Sequence, residues 1–384
     1  MRSNFFHILA YCLLITSCSV SKYLQKTENA ALIRGKTGIG ENYISYLFNN
    51  NKKIIFTDSK DIYPFQGGYT VSTDGYNTTA IDITGKRLFD YKIPGVYVWF
   101  YSEGYFTRFD EKKDGGSYYV DFKNKRLNLQ AARPVKNGYC AQYNLENKKM
   151  YYQSPNGKCL KTKNGDIYYS EYCGDFSAGY AVVGENDLYG IINISAEEIV
   201  NKNFSFIGNL KYEYATASIK GTEEKYKYRT DPEYGLIDMR GNWIVEPDYY
   251  QIMAISSENA VIKTTPNNNK ENCGWGVINL ESKTIMYYEK TIDLQSDFES
   301  GEIFFDKSAI FCYSNNFDKF GIINDEGKII LNAICEKIEP FPDNGYWQVL
   351  INDKWMLFKE DEGILDPEKY LDFRSVKPER LSTS

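Results

Sequence analysis

The chain carries short apolar runs, separated by turn residues, that recur over residues 65–365. In residues 234–247 (YGLIDMRGNWIVEP), the turn residues Gly241 and Asn242 separate two such runs, and Pro247 follows the second. Successive side chains of a strand point to opposite faces, Gly and Asn accept positive φ in turns, and proline cannot donate to a β-ladder. The pattern therefore predicts a β-hairpin whose second strand ends at the proline.

A phrase formed by an aromatic residue, a glycine and two aliphatic residues occurs four times, with its glycines 45, 41 and 45 residues apart. Self-similarity at such a period is typical of repeat architectures. Weaker copies without the glycine bring the total to about eight units. The four glycines are Gly190, Gly235, Gly276 and Gly321, and the weaker copies are residues 79–82, 117–121, 149–152 and 354–358.

A second recurrent feature precedes many units: an aromatic residue lies three or four positions before a glycine, and an apolar run follows. One interpretation is a platform on which a ligand stacks. The other, which we favour, is a core residue that fills the same hole in every unit. The aromatic residues in question are Phe65, Tyr101, Phe176, Phe298 and Phe341.

Each full copy of the phrase ends in an acid or amide at the start of the predicted turn. A short side chain at this place accepts hydrogen bonds from the backbone N–H groups of the turn, and this is our interpretation. The alternative is a catalytic group or a calcium ligand. The glycine of each copy predicts a close approach of a neighbouring backbone or ring. The turn residues are Asn193, Asp238, Asn279 and Asn324.

These phrases resemble the bacterial WG repeat, whose units read roughly as an aromatic and Gly-Tyr-Ala-Val strand, then Trp-Gly-Tyr-Ile-Asp, a Gly-Lys turn and a Val-Ile strand. The resemblance covers about residues 65–365 and is best over residues 176–331. Only Trp275-Gly276 is the literal dipeptide, and Tyr or Phe replaces tryptophan elsewhere. The family is defined by its repeat rather than by an activity, so the resemblance implies a β-repeat fold and no catalytic residues.

Each unit has room for four short strands, and four strands in about 40–45 residues match one blade of a β-propeller. The predicted fold class is therefore all-β, with seven or eight blades in a closed ring. An open, twisted array of stacked hairpins is the alternative, because the spacing of the units is uneven. Residues 43–65, which contain KIIF at 53–56, are a candidate closing strand. In one unit the strands are predicted at residues 180–183, 189–193, 198–200 and 204–207.

The N-terminus has the layout of a secretory signal peptide, with Arg2, an apolar run in residues 5–16 and the small Ser17 before Cys18. The run is shorter than the roughly 20 apolar residues that span a bilayer. A cysteine directly after a small residue resembles the lipobox of bacterial lipoproteins, which implies cleavage before Cys18 and acyl chains on its sulfur. An ordinary signal peptide with an incidental cysteine is the alternative.

The lipobox resemblance implies a protein anchored in the cell envelope. No aspartate follows Cys18, which favours the outer membrane, and we place the periplasmic face ahead of the cell surface. The predicted segments are a signal peptide at 1–17, a tether at 18–40, the β-repeat domain at 41–365, and a polar tail at 366–384 with room for a short helix.

The net charge of −6 argues against a nucleic-acid partner, since such proteins need a concentrated basic face. The sole histidine, His7, leaves with the predicted signal peptide. The mature chain then has no histidine for a Ser-His-Asp or Cys-His nucleophile system, and none for an imidazole metal site. We predict neither a metal nor another cofactor.

Six cysteines remain after Cys12 and Cys18. An exported compartment permits disulfides, but six cysteines allow 15 pairings. The close pairs Cys159 with Cys173 and Cys312 with Cys335 are weighed evenly against buried free thiols. The six are Cys140, Cys159, Cys173, Cys273, Cys312 and Cys335.

Two functions from different classes follow. The first is a non-enzymatic, lipid-anchored binding or scaffolding module for a protein or glycan partner, because tandem units present a broad surface rich in loops. The second is a glycoside hydrolase or lyase that works through a carboxylate pair and needs no histidine. The 51 acidic residues show no spacing that nominates such a pair. Two carboxyl groups about 5–9.5 Å apart in a cleft would favour the enzyme.

Overall fold

The chain is seen in a computed structural model. The described residues are 32–58, 61–63, 65, 69–73, 78–91, 96–102, 105–110, 116–121, 125–130, 133, 135–219, 233–264, 274–295, 303–305, 307–339 and 344–372. The predicted signal peptide, Cys18 and most of the predicted tether lie outside this set, as do Cys273, Phe298 and Phe341.

The described residues form 35 β-strands and one short helix, α1 (Pro367–Tyr370). In chain order the strands are β1 (Ile33–Ile39), β2 (Asn42–Phe48), β3 (Ile54–Asp58), β4 (Asp61–Ile62), β5 (Tyr69–Thr73), β6 (Thr78–Asp82), β7 (Arg87–Tyr91), β8 (Val96–Ser102), β9 (Tyr105–Asp110), β10 (Gly116–Asp121), β11 (Arg126–Gln130), β12 (Cys140–Asn144), β13 (Lys149–Gln153), β14 (Tyr169–Ser170), β15 (Tyr172–Cys173), β16 (Tyr180–Glu185), β17 (Leu188–Asn193) and β18 (Glu198–Phe204). They continue with β19 (Phe206–Ile207), β20 (Tyr214–Ser218), β21 (Tyr234–Asp238), β22 (Trp243–Tyr249), β23 (Gln251–Ala254), β24 (Asn259–Lys263), β25 (Trp275–Asn279), β26 (Ile285–Tyr287), β27 (Ile292–Leu294), β28 (Phe304–Phe305), β29 (Ser308–Tyr313), β30 (Asn316–Asn324), β31 (Ile329–Cys335), β32 (Lys337–Ile338), β33 (Trp347–Ile351), β34 (Lys354–Lys359) and β35 (Gly363–Leu365).

These strands form eight antiparallel sheets, and seven of them are built from strands that follow one another in the chain. Seven of the sheets contain β4–β7, β8–β11, β12–β14, β15–β18, β19–β22, β23–β26 and β27–β31, and the eighth joins β1–β3 to β32–β35. Because the eighth sheet holds both ends of the described chain, the sheets form a propeller-like ring. The predicted all-β fold of tandem repeats is confirmed.

Six of the eight sheets have the four or five strands of a full blade. The number of full blades is therefore six, slightly lower than the predicted seven or eight. The sheet of β12–β14 has three strands, because the chain between β13 and β14 forms turns and the isolated bridges Gln153–Cys159 and Lys161–Ile167. The seven-stranded sheet is a composite of strands from the two ends of the chain.

At four places a single residue separates the last strand of one sheet from the first strand of the next: Glu171, Ser205, Tyr250 and Glu336. The N–H of Ser205 already donates to Ser218 in the next sheet, at 2.9 Å. The chain therefore passes between sheets with almost no loop. The boundary between two sheets therefore differs from the predicted boundary between two units. Residues 204–207 were expected to form the last strand of a blade, but β19 is the first strand of the following sheet.

Both faces of the central strands are buried, each against a different neighbouring sheet. Val182 and Ile191 belong to an apolar cluster that includes Ile237 of β21, whereas the adjacent Val183 belongs to a cluster with Tyr152 of β13. Burial of a Val or Ile side chain stabilises by about 1.5–3 kcal/mol, here only when the neighbouring sheet is in place. This two-sided burial explains why the strands read as continuous apolar runs.

The ring is closed by strands β1 and β34, which pair through Ile39 and Lys354. The N–H of Gly40 donates to the carbonyl of Asp353 at 2.8 Å, and the indole N–H of Trp355 donates to the carbonyl of Gly40 at 3.0 Å. The first hairpin of the described chain is thus held by one of its last hairpins.

The structure corrects two predicted boundaries near the N-terminus. The tether was expected to reach residue 40, but β1 starts at Ile33, and its polar Arg34, Lys36 and Thr37 are buried. A hydrophobic pattern does not detect such a strand. The predicted closing segment, residues 43–65, supplies most of β2 and all of β3 in the seven-stranded sheet that closes the ring, but β1, which precedes that segment, makes the pairing with the C-terminal β34.

At the other end, helix α1 begins within the predicted polar tail. Asp366 caps it by accepting a hydrogen bond from the N–H of Glu368 at 3.2 Å. Just beyond the helix, the N–H of Asp372 donates to the carbonyl of Lys52 at 3.1 Å, so this segment packs against the first strands.

The five described cysteines are free thiols, so neither weighed disulfide pair forms. In the sheet, Cys312 of β29 and Cys335 of β31 both lie opposite Phe320 of the intervening strand β30. They are therefore separated by two interstrand spacings, or roughly 9.5 Å, which is too far for a disulfide. Cys159 forms an isolated backbone β-bridge with Gln153 of β13, whereas Cys173 lies in β15 of the next sheet. Burial raises the pKa of Cys173 and of Cys335 to about 12, so these thiols stay protonated at neutral pH.

Candidate functional site

The four repeat glycines occupy the same place, in the third strand of their sheets and opposite the strand that follows. A Cβ added at Gly235 would lie 2.4 Å from the carbonyl oxygen of Val245, closer than real side-chain carbons approach. The corresponding distances are 2.3 Å for Gly190 to Val200, 2.7 Å for Gly276 to Met286 and 2.5 Å for Gly321 to Leu331. The glycines therefore allow two backbones to pack closely.

Three of these glycines face a bulge in the neighbouring strand. Tyr234 pairs with Tyr249 and Leu236 with Val245, so the partner strand contains two more residues than the glycine strand over this interval. The same shift occurs opposite Gly190 and Gly321, but Gly276 faces a regular ladder. Pro247 lies inside the bulge, so β22 continues to Tyr249 instead of ending at the proline as predicted.

The four predicted turn residues accept backbone hydrogen bonds from their own turns. Asp238 Oδ1 accepts from the N–H of Arg240 at 2.8 Å and of Asn242 at 2.9 Å. Burial alone would raise the pKa of Asp238, but these bonds and one from the Asn242 side chain lower it. The other acceptors are Asn193 for Ser195 and Glu197, Asn279 for Glu281 and Ser282, and Asn324 for Glu326 and Lys328.

The recurrent aromatic residues whose side chains are described belong to the core. Phe176 is buried, with its ring centroid 4.6 Å from that of Tyr152, and Phe65 packs against the cluster around Phe56. In the literal Trp-Gly dipeptide, the buried Trp275 donates its indole N–H to Asp293 of the next sheet at 2.7 Å. These aromatic residues join neighbouring sheets and form no open platform.

A cluster of charged and aromatic side chains lies at the closure of the ring; we call it the Lys36 cluster. It contains Lys36, Tyr43, Asp61, Glu339 and Trp355. Lys36 Nζ lies 2.8 Å from Asp61 and 3.3 Å from Glu339, and 4.4 Å and 4.9 Å from the ring centroids of Tyr43 and Trp355. A nearly buried cation is thus held by two carboxylates and two aromatic faces.

Both carboxylates of the Lys36 cluster are held ionised. Burial would raise the pKa of Asp61, but hydrogen bonds from Lys36 and Tyr43 outweigh it and lower the pKa. Burial also opposes ionisation of Glu339, whose pKa is lowered by Lys36 and Lys337. Lys337, which lies 3.0 Å from Glu339, supplies a second ammonium next to the cluster, and neither carboxylate titrates near neutral pH.

A second polar group, the Glu362 cluster, ties helix α1 to the seven-stranded sheet. Glu362 accepts from the hydroxyls of Tyr370 at 2.6 Å and Tyr346 at 2.9 Å, and from Lys359 Nζ at 3.0 Å. The bonds from Tyr370 and Lys359 are the main reason that the pKa of Glu362 is lowered to about 2. This carboxylate is also committed to structure.

A cavity of about 300 Å³ lies beside the Glu362 cluster, between the sheet of β27–β31 and the seven-stranded sheet. Its walls include Trp347 and Ile330, the hydroxyl of Ser308, and the charged Lys359, Glu360 and Asp361. Sequence reasoning did not single out these residues, since they come from β29, β31, β33 and the end of β34 and form no local motif.

In the part of the chain that the structure describes, the carboxyl groups of the two polar clusters do not form the acid and base pair that the hydrolase alternative requires. Asp61, Glu339 and Glu362 all have a lowered pKa, whereas such an enzyme needs one carboxyl group with a raised pKa. Burial raises the pKa of Asp175 and of Asp325, but these residues follow β15 and β30, in different sheets. Neither belongs to the Lys36 or the Glu362 cluster.

The part of the chain that the structure describes shows neither a metal-binding group of side chains nor a membrane-spanning helix. It holds no group of three or more His, Cys, Asp or Glu side chains that could bind a metal ion. None of its helices is long and apolar enough to cross a membrane.

The profile of the WG containing repeat matches residues 234–264 and 320–355. These matches begin at Tyr234 and Phe320, the first residues of two copies of the repeated phrase. WG-type repeats are therefore present in these two segments. A search of curated proteins finds no match to the chain.

The chain is similar to several solved structures. A crystal structure of the eukaryotic initiation factor is 10% identical, with a TM-score of 0.51, and the match covers 87% of this chain and 95% of that one. The computationally designed Ika8 protein has 12% identity, a TM-score of 0.42 and coverage of 77% and 96%. A protein from Listeria monocytogenes has 11% identity, a TM-score of 0.40 and coverage of 67% and 91%. At such identities the first likeness shows a shared fold only.

Proposed function

We propose that this protein is a non-enzymatic binding or scaffolding module of the cell envelope, anchored by lipid on Cys18, with a protein or glycan partner. The observation that carries the proposal is that the recurrent polar residues are used by the fold itself. Asn193, Asp238, Asn279 and Asn324 bind the backbone of their own turns, and the carboxylates of the two polar clusters are paired.

The architecture supports binding as the function. Each sheet contributes turns to the two edges of the ring, so repeated elements build a broad surface on a rigid scaffold. WG-type repeats on a propeller-like ring fit a binding or scaffolding module. Among the groups that titrate abnormally, the lowered carboxyl pKa values come from ion pairs and turns rather than from an acid and base pair.

The anchor rests on the N-terminal sequence. Each buried CH₂ group of an acyl chain contributes about 0.8 kcal/mol to membrane binding, and more than one chain is needed for stable attachment. Mass spectrometry of the N-terminal peptide should find an acylated Cys18. A Cys18→Ser variant should leave the membrane fraction, and an unmodified Cys18 in the mature protein would contradict the anchor.

Affinity capture from the native envelope tests the binding function. A tag at the C-terminus, away from the predicted anchor, should retain a defined protein or glycan in constant ratio to the protein. The purified protein should return that partner chemically unchanged after long incubation. Cleavage of a defined glycan by the purified protein would overturn the proposal in favour of the carboxylate-based hydrolase or lyase.

A further inference from the structure

Trp347 differs from the other buried tryptophans in its hydrogen bonding. Trp275, Trp347 and Trp355 are each 3–4% exposed. The indole N–H of Trp275 donates to Asp293 at 2.7 Å, and that of Trp355 donates to Gly40 at 3.0 Å. Over the described ranges, no acceptor bonds the N–H of Trp347, whose ring contacts Phe305 edge-on. The Nε1 atom of Trp347 is not among the buried polar atoms that lack a partner, so it is open to solvent and free to donate to a bound molecule.

The cavity supplies a place for such an acceptor, since Trp347 forms part of its wall. Its volume of about 300 Å³ is at the lower limit of ligand pockets, which suits one small ring rather than an extended molecule. Gly345, also in the wall, leaves the mouth open, because a Cβ there would meet no atom within 4 Å.

The other wall groups set the polarity of the ligand. Ile330 and the Trp347 ring are apolar, whereas the Ser308 hydroxyl and the carboxylates of Glu360 and Asp361 can bond hydroxyl groups. Lys359 Nζ is shared between Asp361 at 3.2 Å and Glu362 at 3.0 Å. With Lys328, which pairs with Glu360, two ammonium groups balance the two carboxylates of the wall, so no surplus cation is left for an anionic ligand.

An ion pair holds the two walls of the cavity together. Lys328, in the turn between β30 and β31, lies 2.9 Å from Glu360 after β34, and both side chains are largely exposed. The pair joins the two sheets through exposed side chains and leaves the carboxylate of Asp361, 70% exposed, open to solvent beside it. The cavity is thus a preformed cleft between two sheets.

We propose that this cavity binds one neutral saccharide unit of a glycan. A sugar hydroxyl or ring oxygen accepts the Trp347 N–H, other hydroxyls donate to Asp361 and Glu360, and the apolar C–H face lies against Ile330 and the indole. The inference rests on the proposed binding function and selects a glycan over a protein as the partner.

The test follows the indole N–H resonances of the ¹⁵N-labelled full chain during titration with methyl glycosides of glucose, galactose, mannose and N-acetylglucosamine. Trp347→Phe assigns the resonance. We expect at least one glycoside to shift the Trp347 signal saturably and to leave the Trp275 and Trp355 signals in place. Asp361→Ala should weaken that binding by roughly 10-fold or more, because it removes a charged hydrogen-bond partner.

Asp318→Ala is the matched control, since Asp318 is also exposed but belongs to β30 outside the cavity wall. It should leave the affinity unchanged. If no glycoside shifts the Trp347 signal, or if Asp361→Ala and Asp318→Ala bind equally well, the cavity proposal is overturned. Capture of an envelope partner that both variants retain equally would overturn the cavity site while leaving the binding function intact. A failure to retain any partner, with the Trp347 signal still shifting, would count against the envelope function alone.

Discussion

The indole N–H of Trp355 donates to the carbonyl of Gly40, and this 3.0 Å hydrogen bond joins residues 315 positions apart in the chain. It lies where β1 and β34 pair through a single residue on each strand, Ile39 and Lys354. Because so few backbone hydrogen bonds join the two strands, side-chain contacts must provide much of the free energy that holds the ring closed. Trp355 also packs its ring against that of Tyr43, 5.9 Å between centroids, and faces the ammonium of Lys36.

Replacement of Trp355 by phenylalanine should weaken the closure. The change removes the bond to the partly buried carbonyl of Gly40, and it reduces the area packed against Tyr43. We expect the free energy of unfolding in urea to fall by about 1–3 kcal/mol. Trp243→Phe is the control, because Trp243 is only partly buried and its contact with Phe204 survives as an aromatic pair. Equal losses for both variants would contradict a special role of Trp355.

Replacement of Gly235 by alanine should destabilise the protein although only a methyl group is added. The new Cβ would meet the carbonyl of Val245 at 2.4 Å, so the bulge must move. We expect a loss of about 1–3 kcal/mol in the free energy of unfolding, measured by urea denaturation. Gly208→Ala is the matched change, because its Cβ would have its nearest contact at 3.4 Å. A Gly235→Ala protein as stable as Gly208→Ala would refute the close packing.

Removal of the Lys36 charge should leave two carboxylates facing each other. Lys36→Met keeps the length of the side chain but removes the ammonium group that pairs with Asp61 and Glu339 and helps to lower the pKa of both carboxyl groups. We expect a loss of about 2 kcal/mol at pH 7, less than for a fully buried pair because Asp61 is half exposed. The loss should shrink on acidification, when the carboxylates become neutral.

Lys337→Met is the control for the Lys36 variant. Lys337 lies 3.0 Å from Glu339 but is 58% exposed, so its pair is well screened. Its replacement should change the free energy of unfolding by about 0.5 kcal/mol or less. A Lys337→Met variant that loses as much stability as Lys36→Met would show that burial of Lys36 is unimportant.

The stability of the C-terminal end should depend on pH through Glu362. Its pKa is lowered from 4.5 to about 2, so its contribution is complete above pH 4.5 and is lost as the pH falls towards 2. Glu362→Gln should therefore lower the free energy of unfolding at pH 7 by about 1 kcal/mol or less, because the site is partly solvated, and the difference from the parent protein should narrow below pH 4.5. A difference that grows in acid would contradict the sign of this linkage.

The repeat units could be predicted from the sequence because their signals are local. Around Gly235, an apolar run, a glycine and a turn acceptor lie within a few residues, and all of them take part in one hairpin. The same holds at Gly190, Gly276 and Gly321. Pro247 was misread for an equally local reason: a rule for regular ladders was applied at a bulge, where the partner strand needs no N–H.

The closure and the cavity could not be predicted because their partners are far apart in the chain. Strand β1 buries Lys36, whose charge is compensated by Asp61 and Glu339, and Arg34, which donates to the carbonyl of Ile62. No pattern within residues 33–39 indicates those partners. The wall of the cavity is likewise assembled from four strands whose order in space follows from the completed ring.

The pairing of β1 with β34 is the claim on which the closed ring and its binding surface depend. A variant with Ile39→Cys and Lys354→Cys tests it, since opposed Cβ atoms in an antiparallel pair lie about 4.5–5.5 Å apart. The account predicts that a short bismaleimide joins the two cysteines within one chain, in high yield and independently of protein concentration, as seen by mass spectrometry of the digest. Absence of that intramolecular cross-link, while both cysteines react fully with a monofunctional maleimide, would contradict the closed ring.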